Sequence, residues 1–256
     1  MQVTVSSVKA KNCNHSERCV HDKRVTCGGC RLNKLCLPIS LHLDDIAKLN
    51  NIVQRSKPLH KGDHLYRAND EFRSIFAIRS GAVKAVAIND IGNEQITGFY
   101  LPGEIVGLDG LNENRYSNSV IALETASVCE IPFHRFEELS ASVPNLRRHF
   151  LQLMSREITE DQKIISLLCK SNAEGRVASL LISISTRNTR RNLSPNEFVL
   201  PMSRTDISNF LGLRIETVSR LFARLQKSNV ISIDKKDVVI RDMDILQQIA
   251  KGTDDF

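Results

Sequence analysis

Apolar residues recur along this chain in three different rhythms. Between about Leu59 and Phe133 they come in short runs, "SIFAIRSGAVKAVAI", "NDIGNEQITGFYL", "PGEIVGL" and "SVIALETASVCEIPF", punctuated by Gly81, Gly92 and Gly103. Many short strands at such spacing predict an all-β barrel or jelly roll. From about Pro144 to Cys169 the rhythm turns helical, with Leu151, Met154, Ile158, Asp161, Ile165 and Leu168 at intervals of 3, 4, 3, 4 and 3. That is the a/d spacing of a coiled-coil seam with one charged intruder, Asp161, although a helix face on an ordinary core has the same period. In "SRTDISNFLGLRIETVSRLFARLQKS" the helical rhythm is broken once, at Gly212. This predicts a helix over Thr205–Leu211, a turn where a left-handed backbone favours glycine, and a second helix over Ile215–Lys227.

The flanking segments complete the picture. "DDIAKLNNIV" predicts a short amphipathic helix with Ile46, Leu49 and Val53 on one side. "AEGRVASLLISIST" predicts a helix, "RNTRRNLSPNEF" a polar loop, and "VISIDKKDVVIRD" a strand pair turning at Asp234–Asp237. Residues 1–40 have little apolar periodicity and hold Cys13, Cys19, Cys27, Cys30 and Cys36. The chain thus divides into a Cys-rich arm (1–40), a barrel (41–143), a long helix (144–170) and a helix-turn-helix unit with a wing-like hairpin (171–256). Its 256 residues suit such a division.

No apolar run approaches the roughly 20 residues that span a bilayer. The opening "MQVTVSSVKAKNCNHSERC" lacks the apolar core of a secretory signal. The expectation is a soluble cytoplasmic protein, in which thiols stay reduced and clustered cysteines serve metal or redox chemistry. The total of 7 cysteines is odd, which suits a disulfide framework poorly. Net charge is +6, concentrated at the ends: residues 1–40 carry 7 Lys/Arg against 2 Asp/Glu, residues 41–169 carry 14 against 17, and residues 170–256 carry 14 against 10. A basic C-terminal unit is what a polyanion-binding domain needs.

The helix-turn-helix pattern gives that charge a purpose. Ile207, Leu211, Leu213, Val218 and Leu221 would pack the two helices together. The second helix of such a pair enters the major groove of double-stranded DNA. Glu216, Ser219 and Arg220 would face outward there. Arg matches the two acceptors of guanine, and Glu accepts from the cytosine amino group. Arg204, Arg214, Arg224 and Lys227 suit phosphates, which position without specifying sequence. An i,i+4 surface ion pair would use the same Glu216 and Arg220.

Cys27-x2-Cys30-x5-Cys36 has more than one chemistry open to it. Zinc prefers two CxxC pairs, or CxxC with His at set spacing, and here there is one CxxC with Cys13, Cys19, His15 and His21 nearby. An iron–sulfur cluster takes four ligands, and the fourth can be remote, as Cys129 or Cys169 would be. Gly28 and Gly29 would let the backbone come close to inorganic sulfide.

These pieces together resemble the fumarate and nitrate reduction regulator (FNR) family, within the superfamily that also holds the cyclic-AMP receptor protein. "CGGCRLNKLC", "AIRSGAVK", "EQITGFYLPGEIVG", "ALETASVCEIPF", "PNLRRHFLQLMSREITEDQ" and "GLRIETVSRLFARLQKS" carry the resemblance, which runs from about Cys27 to the C-terminal hairpin. It implies an α+β fold with a jelly-roll sensor domain, a dimerisation helix and a winged helix-turn-helix. It further implies a [4Fe–4S] cluster on Cys27, Cys30, Cys36 and Cys129, and an oxygen-responsive homodimer reading TTGAT-like half-sites through Glu216, Ser219 and Arg220. Contact with RNA polymerase through barrel loops such as Asn89–Asn93 is also implied.

The arm before Cys27 does not match the family closely. Arg31, beside Cys30, places a fixed cation near a ligand and is expected to shift the cluster's oxygen reactivity. Cyclic-AMP binders of the superfamily meet the phosphate with an Arg-Ser pair. Here Tyr116 separates Arg115 from Ser117, so no cyclic nucleotide is expected. In two parallel copies of the long helix, Asp161 would meet its symmetry mate among Met154, Ile158 and Ile165, and like charges in a seam oppose dimerisation. A constitutive DNA-binding protein with structural zinc or no cofactor is the competing reading. No nucleophile–base constellation or nucleotide fingerprint supports an enzyme.

Overall fold

The computed structural model describes residues 26–39, 41–88, 92–169 and 172–252. Cys13, Cys19, His15, His21 and residues 89–91 of the expected polymerase-contacting loop lie outside them. Elements follow in the order α1 (Leu43–Ile52), β1 (Gln54–Arg55), β2 (His64–Tyr66), β3 (Ser74–Ser80), β4 (Val83–Ile88), β5 (Glu94–Tyr100), β6 (Ile105–Val106), β7 (Ser119–Ala122) and β8 (Ser127–Pro132). Then come α2 (Phe133–Ser142), α3 (Pro144–Leu168), α4 (Ala173–Arg190), β9 (Glu197–Val199), α5 (Arg204–Leu211), α6 (Ile215–Lys227), β10 (Ile231–Asp234), β11 (Asp237–Ile240) and α7 (Met243–Lys251). Among the described residues no helix is long and apolar enough to cross a membrane.

The first eight strands form two four-stranded antiparallel sheets, ordered β1-β8-β3-β6 and β2-β7-β4-β5. Their facing sides bury Tyr66, Phe76, Ile78, Val83, Ala85, Val106 and Val120, the alternation of a jelly roll. The β3–β4 turn depends on Gly81: its φ is +74°, and a Cβ there would sit 2.4 Å from the Thr125 carbonyl oxygen. The outer side of the β1-β8-β3-β6 sheet carries a second core. Ile75, Ala77 and Ile131 from the sheet meet Leu37 of the arm, Leu49 of α1, Phe136 of α2, and Leu146, Phe150 and Leu153 of α3. This core seats the arm against both the barrel and the start of the long helix.

That helix has two apolar faces. Leu146, Phe150, Leu153 and Leu167 are buried, whereas Leu151, Ile158 and Ile165 are 59%, 58% and 61% exposed. Pro144 opens it at a position where the missing N–H costs nothing. Met154, which has the spacing of the expected seam, is half-buried against the core beneath the barrel.

In the C-terminal unit α5 and α6 match the expected pair, with Gly212 at φ +62° in the turn between them. Ser203 and Asp206 form a capping box at the start of α5. Two expectations are corrected. The predicted polar loop is helical as far as Arg190, because Asn188 is buried and Arg187 reaches the barrel, pairing with Glu104 and donating to the Phe99 carbonyl at 2.6 Å. The wing has three strands, β10-β11-β9. The short, mostly exposed β9 has little apolar alternation to betray it.

The C-terminal unit is docked on the barrel. Lys84 pairs with Asp206 at 2.6 Å, and Phe99 packs on Phe210 with ring centroids 5.0 Å apart. The Asn209 amide accepts from Ile96 N at 2.6 Å and donates to Glu94 O at 2.8 Å, like an added rung on β5.

Candidate metal centre and nucleic-acid interface

Cys27, Cys30 and Cys36 lie on a chain of tight turns, with Asn33 N donating to Cys30 O at 3.1 Å and Cys36 N to Leu32 O at 2.9 Å. The turns are pinned at two points. Cys27 N donates to the Asn50 side chain at the end of α1, 3.1 Å away, and Leu37 is buried in the outer core. Cys129 comes from β8, facing Ala77 on β3 and Arg55 on β1. All four thiols are partly buried and line one cavity of about 40 Å³, walled by Leu37, Leu49, Val53, Ala77 and Ile131. Cys169 is exposed beyond α3 and is not among its lining residues.

The environment opposes ionisation of these thiols. Burial pushes Cys36 up to about 12, partly opposed by the Leu37 backbone amide and reinforced by Cys129, Cys27 and Cys30. Burial also raises Cys27, to about 11, with Cys129 adding to the shift and Arg55 opposing it. Cys129 is raised by burial against the pull of Arg55 and Arg79. Thiols in such surroundings are poor nucleophiles. A soft polycation shared by the four sulfurs would relieve both the burial and the mutual repulsion of the thiolates. In that chemical sense the donor set fits a thiolate-ligated metal group. Among the described residues no three Cys, His, Asp or Glu side chains converge closely enough to hold a single metal ion.

The cations that line the thiol cavity, Arg55 and Arg79, are not the one adjacent in sequence. Arg31 is exposed. Arg55, which sequence reasoning missed, has Nη2 4.0 Å from Cys27 Sγ and 2.7 Å from Asn50 Oδ1. Only the β1–β8 register, which sets Arg55 opposite Cys129, could have revealed it. A link to α3 was missed as well. His149 is buried beside the Cys36 backbone, and burial lowers its pKa.

On α6, Val218, Phe222 and Leu225 face inward and Glu216, Ser219 and Arg220 are exposed. No ion pair joins Glu216 to Arg220 among the described residues; Arg220 Nε instead donates to the Glu216 backbone carbonyl at 3.4 Å. Both charged ends are therefore presented outward. Arg214 and Lys227 are exposed at the two ends of α6. The other two expected phosphate contacts have partners of their own. Arg204 is half-buried with its guanidinium 3.5 Å over the Phe222 ring, and Arg224 lies 3.4 Å from Glu174. Asp161 is exposed on the stripe with Leu151, Ile158 and Ile165, and desolvation already raises its pKa in a single chain.

Within the barrel, the segment expected to meet a cyclic phosphate bonds to its own neighbours. Arg115 donates to Asn69 O at 2.7 Å. Tyr116 stacks on Tyr66 at 3.8 Å and donates to Ser74 O at 2.7 Å. The Asp109 carboxylate accepts from Ser117 N at 3.1 Å, Asn118 N at 3.0 Å and Asn118 Nδ2 at 3.1 Å.

Known proteins resemble this chain over most of its length. The family model of the cyclic nucleotide-binding domain matches residues 56–142, and that of the Crp-like helix-turn-helix domain matches residues 175–249. The transcriptional activator protein anr of Pseudomonas aeruginosa is 50% identical over 226 residues, 88% of this chain and 93% of its own. The transcriptional activator protein FnrA of Stutzerimonas stutzeri is 48% identical over 233 residues, covering 91% and 96%. The fumarate and nitrate reduction regulatory protein of Escherichia coli K12 is 44% identical over 229 residues, covering 90% and 92%. Among solved structures, FixK2 from Bradyrhizobium japonicum superposes with a TM-score of 0.70 over 77% of this chain and 97% of its own. At 24% identity that likeness speaks for the fold.

Proposed function

The chain belongs to the fumarate and nitrate reduction regulator family, and we propose that this DNA-binding transcription regulator, which is not an enzyme, responds to oxygen through a [4Fe–4S] cluster on Cys27, Cys30, Cys36 and Cys129. The observation that carries the reading is the single cavity shared by three thiols of the arm and one of β8. Bound there, the cluster supplies oxygen-labile iron–thiolate bonds.

What the chain itself does follows from the packing. Four sulfurs held in common fasten the arm to β8. Without that fastening, the described ties of Cys27 and Leu37 are the Asn50 hydrogen bond, the contact of Arg55 Nη2 with Cys27 Sγ and the burial of Leu37. The arm shares its core with Leu146, Phe150 and Leu153, and His149 meets the Cys36 backbone, so the seating of the arm bears directly on α3.

On the opposite face of α3, Leu151, Ile158 and Ile165 offer an apolar seam to a second copy, interrupted by Asp161. Two such helices bury the stripe and bring two Asp161 carboxylates together, so the homodimer is marginal and sensitive to small changes in α3. A bound group shifts that balance only by favouring one arrangement over the other. Dimerisation sets two α6 helices about one DNA turn apart, as a palindrome of TTGAT-like half-sites requires. Glu216, Ser219 and Arg220 then read bases, while Arg214 and Lys227 meet phosphates. The protein works in the cytoplasm on genes of anaerobic and respiratory metabolism, engages RNA polymerase through the loop between β4 and β5, and takes no cyclic nucleotide. The Asp109 and Tyr116 contacts support that last point, since they use the donors and space a phosphate would need.

The test is iron and acid-labile sulfide analysis of protein purified without oxygen. About four of each per chain are expected, with loss on exposure to air accompanied by a shift from dimer to monomer in sedimentation. Zinc in place of iron, or an unchanged dimer in air, would overturn the reading.

A further inference from the structure

Arg55 is tied to both halves of the thiol site, by its side chain to the arm and by its backbone to β8. Its Nη2 lies 4.0 Å from Cys27 Sγ on the arm. Its backbone pairs in register with Cys129 on β8. The same Nη2 donates to Asn50 Oδ1, which also accepts from Cys27 N, so Asn50 clamps the guanidinium and the arm together. Arg55 Nε is buried and has no hydrogen-bond partner among the described residues. A buried N–H left without an acceptor is costly and calls for an explanation at the site it faces. Among the described residues the cavity it lines is otherwise apolar apart from the cysteines, Thr26, Asn33 and Arg79, and includes no carboxylate that could take up the charge.

Four thiolates converging on this cavity would bring a concentration of negative charge that its apolar walls cannot screen. We infer that Arg55 is the charge-balancing and positioning residue of the thiol site, supplying a fixed cation and a free N–H to the sulfur gathered between Cys27 and Cys129. This rests on the cluster reading given above. Arg55 stands to the sulfur site as an outer partner stands to any metal ligand: it orients the ligand and tunes the electronics of what is bound. The position suits Arg rather than Lys, because the planar fork donates to Asn50 through Nη2 and still carries the unpaired Nε–H. Arg55 draws both Cys27 and Cys129 toward ionisation, against the burial that opposes it, which is consistent with that role.

The experiment compares wild type, Arg55→Gln and Arg55→Lys, each purified and reconstituted without oxygen, with circular dichroism as the check on folding. The readouts are iron and sulfide per chain, the midpoint potential of the cluster, and the decay of visible absorbance in air. Arg55→Gln is expected to have a lower midpoint potential and to lose iron about 10-fold faster in air, as for loss of a ligand's outer partner. Arg55→Lys should recover part of the potential. Loss of iron uptake in Arg55→Gln, with uptake kept in Arg55→Lys, would also support the inference. Unchanged potential and decay in Arg55→Gln would overturn it, as would equal failure of both variants to take up iron with native circular dichroism, which would leave Arg55 only seating the arm. Wild type lacking sulfide would instead sink the cluster reading itself, a result distinct from either.

Discussion

The two functional regions of this protein are built in opposite ways. The nucleic-acid interface is a single run of sequence, α5 to α6, whose exposed face follows from its own periodicity. The thiol site is assembled from the arm, the end of α1, β1 and β8, and exists only when the barrel has brought Cys129 and Arg55 to Cys27. A contiguous motif keeps its shape whatever happens elsewhere. A site split between a loop and a sheet reports on whether the two are joined, which suits it to sensing.

That contrast gives graded expectations. The largest effect should follow Cys129→Ala, which removes the barrel's share of the split site. Anaerobically purified variant should lack the broad visible absorbance of a cluster while keeping a folded C-terminal unit; full iron and sulfide would move the fourth ligand elsewhere. On the contiguous side, Arg220→Ala should cost about 1–3 kcal/mol in binding a cognate half-site and relax specificity there, leaving iron content untouched. Lys227→Ala should instead weaken binding to all sequences alike and lower the salt slope by roughly one unit. Fluorescence anisotropy on matched and mutated sites distinguishes the two.

Between the regions lies α3, where Asp161→Ala removes the repulsion at the seam. A dimer tighter by about tenfold or more, formed even in air, corresponds to roughly 1–2 kcal/mol. A monomer in aerobic sedimentation would dismiss the repulsion account.

The smallest effect concerns pH. Burial, with Glu104 and Asp161 adding to it and Arg187 opposing, pushes Glu157 up to about 7. A carboxyl raised in this way favours the folded state when protonated. Its contribution is fully present below the ordinary value of 4.5 and is lost as pH rises through about 7. Glu157→Gln should flatten denaturation midpoints between pH 5 and 8 and recover about 1–2 kcal/mol at the upper end. A slope unchanged by the substitution would show that another group sets it.

How much was legible in the sequence follows the same division. The ends of α6 and nearly the whole of α3 could be read from 3.6-residue periodicity because the pattern and the element coincide. The strands were legible as a set, since alternation and glycine turns announce a barrel. Their partners were not, because register is a long-range property. Arg31 was singled out because it follows Cys30 in the chain, whereas Arg55 is the cation at the site because β1 pairs with β8. The C-terminal turn of α4 was missed for a similar reason. Its polar residues look like loop until Arg187 is seen to reach Glu104 and Phe99 across the domain boundary. Met154 shows that period alone does not tell which of two apolar faces a residue serves, since it has the seam spacing and is half-buried against the outer core.

The docking of α5 on β5 has a consequence for the DNA target. Lys84–Asp206, the Asn209 rung and the Phe99–Phe210 pair fix the reading head to a rigid sheet instead of leaving it on a tether. A dimer built from two such bodies is a caliper with a set opening. It should tolerate a changed base within a half-site far better than one base pair added between the half-sites, and loosening the dock should let that caliper accept the wider gap.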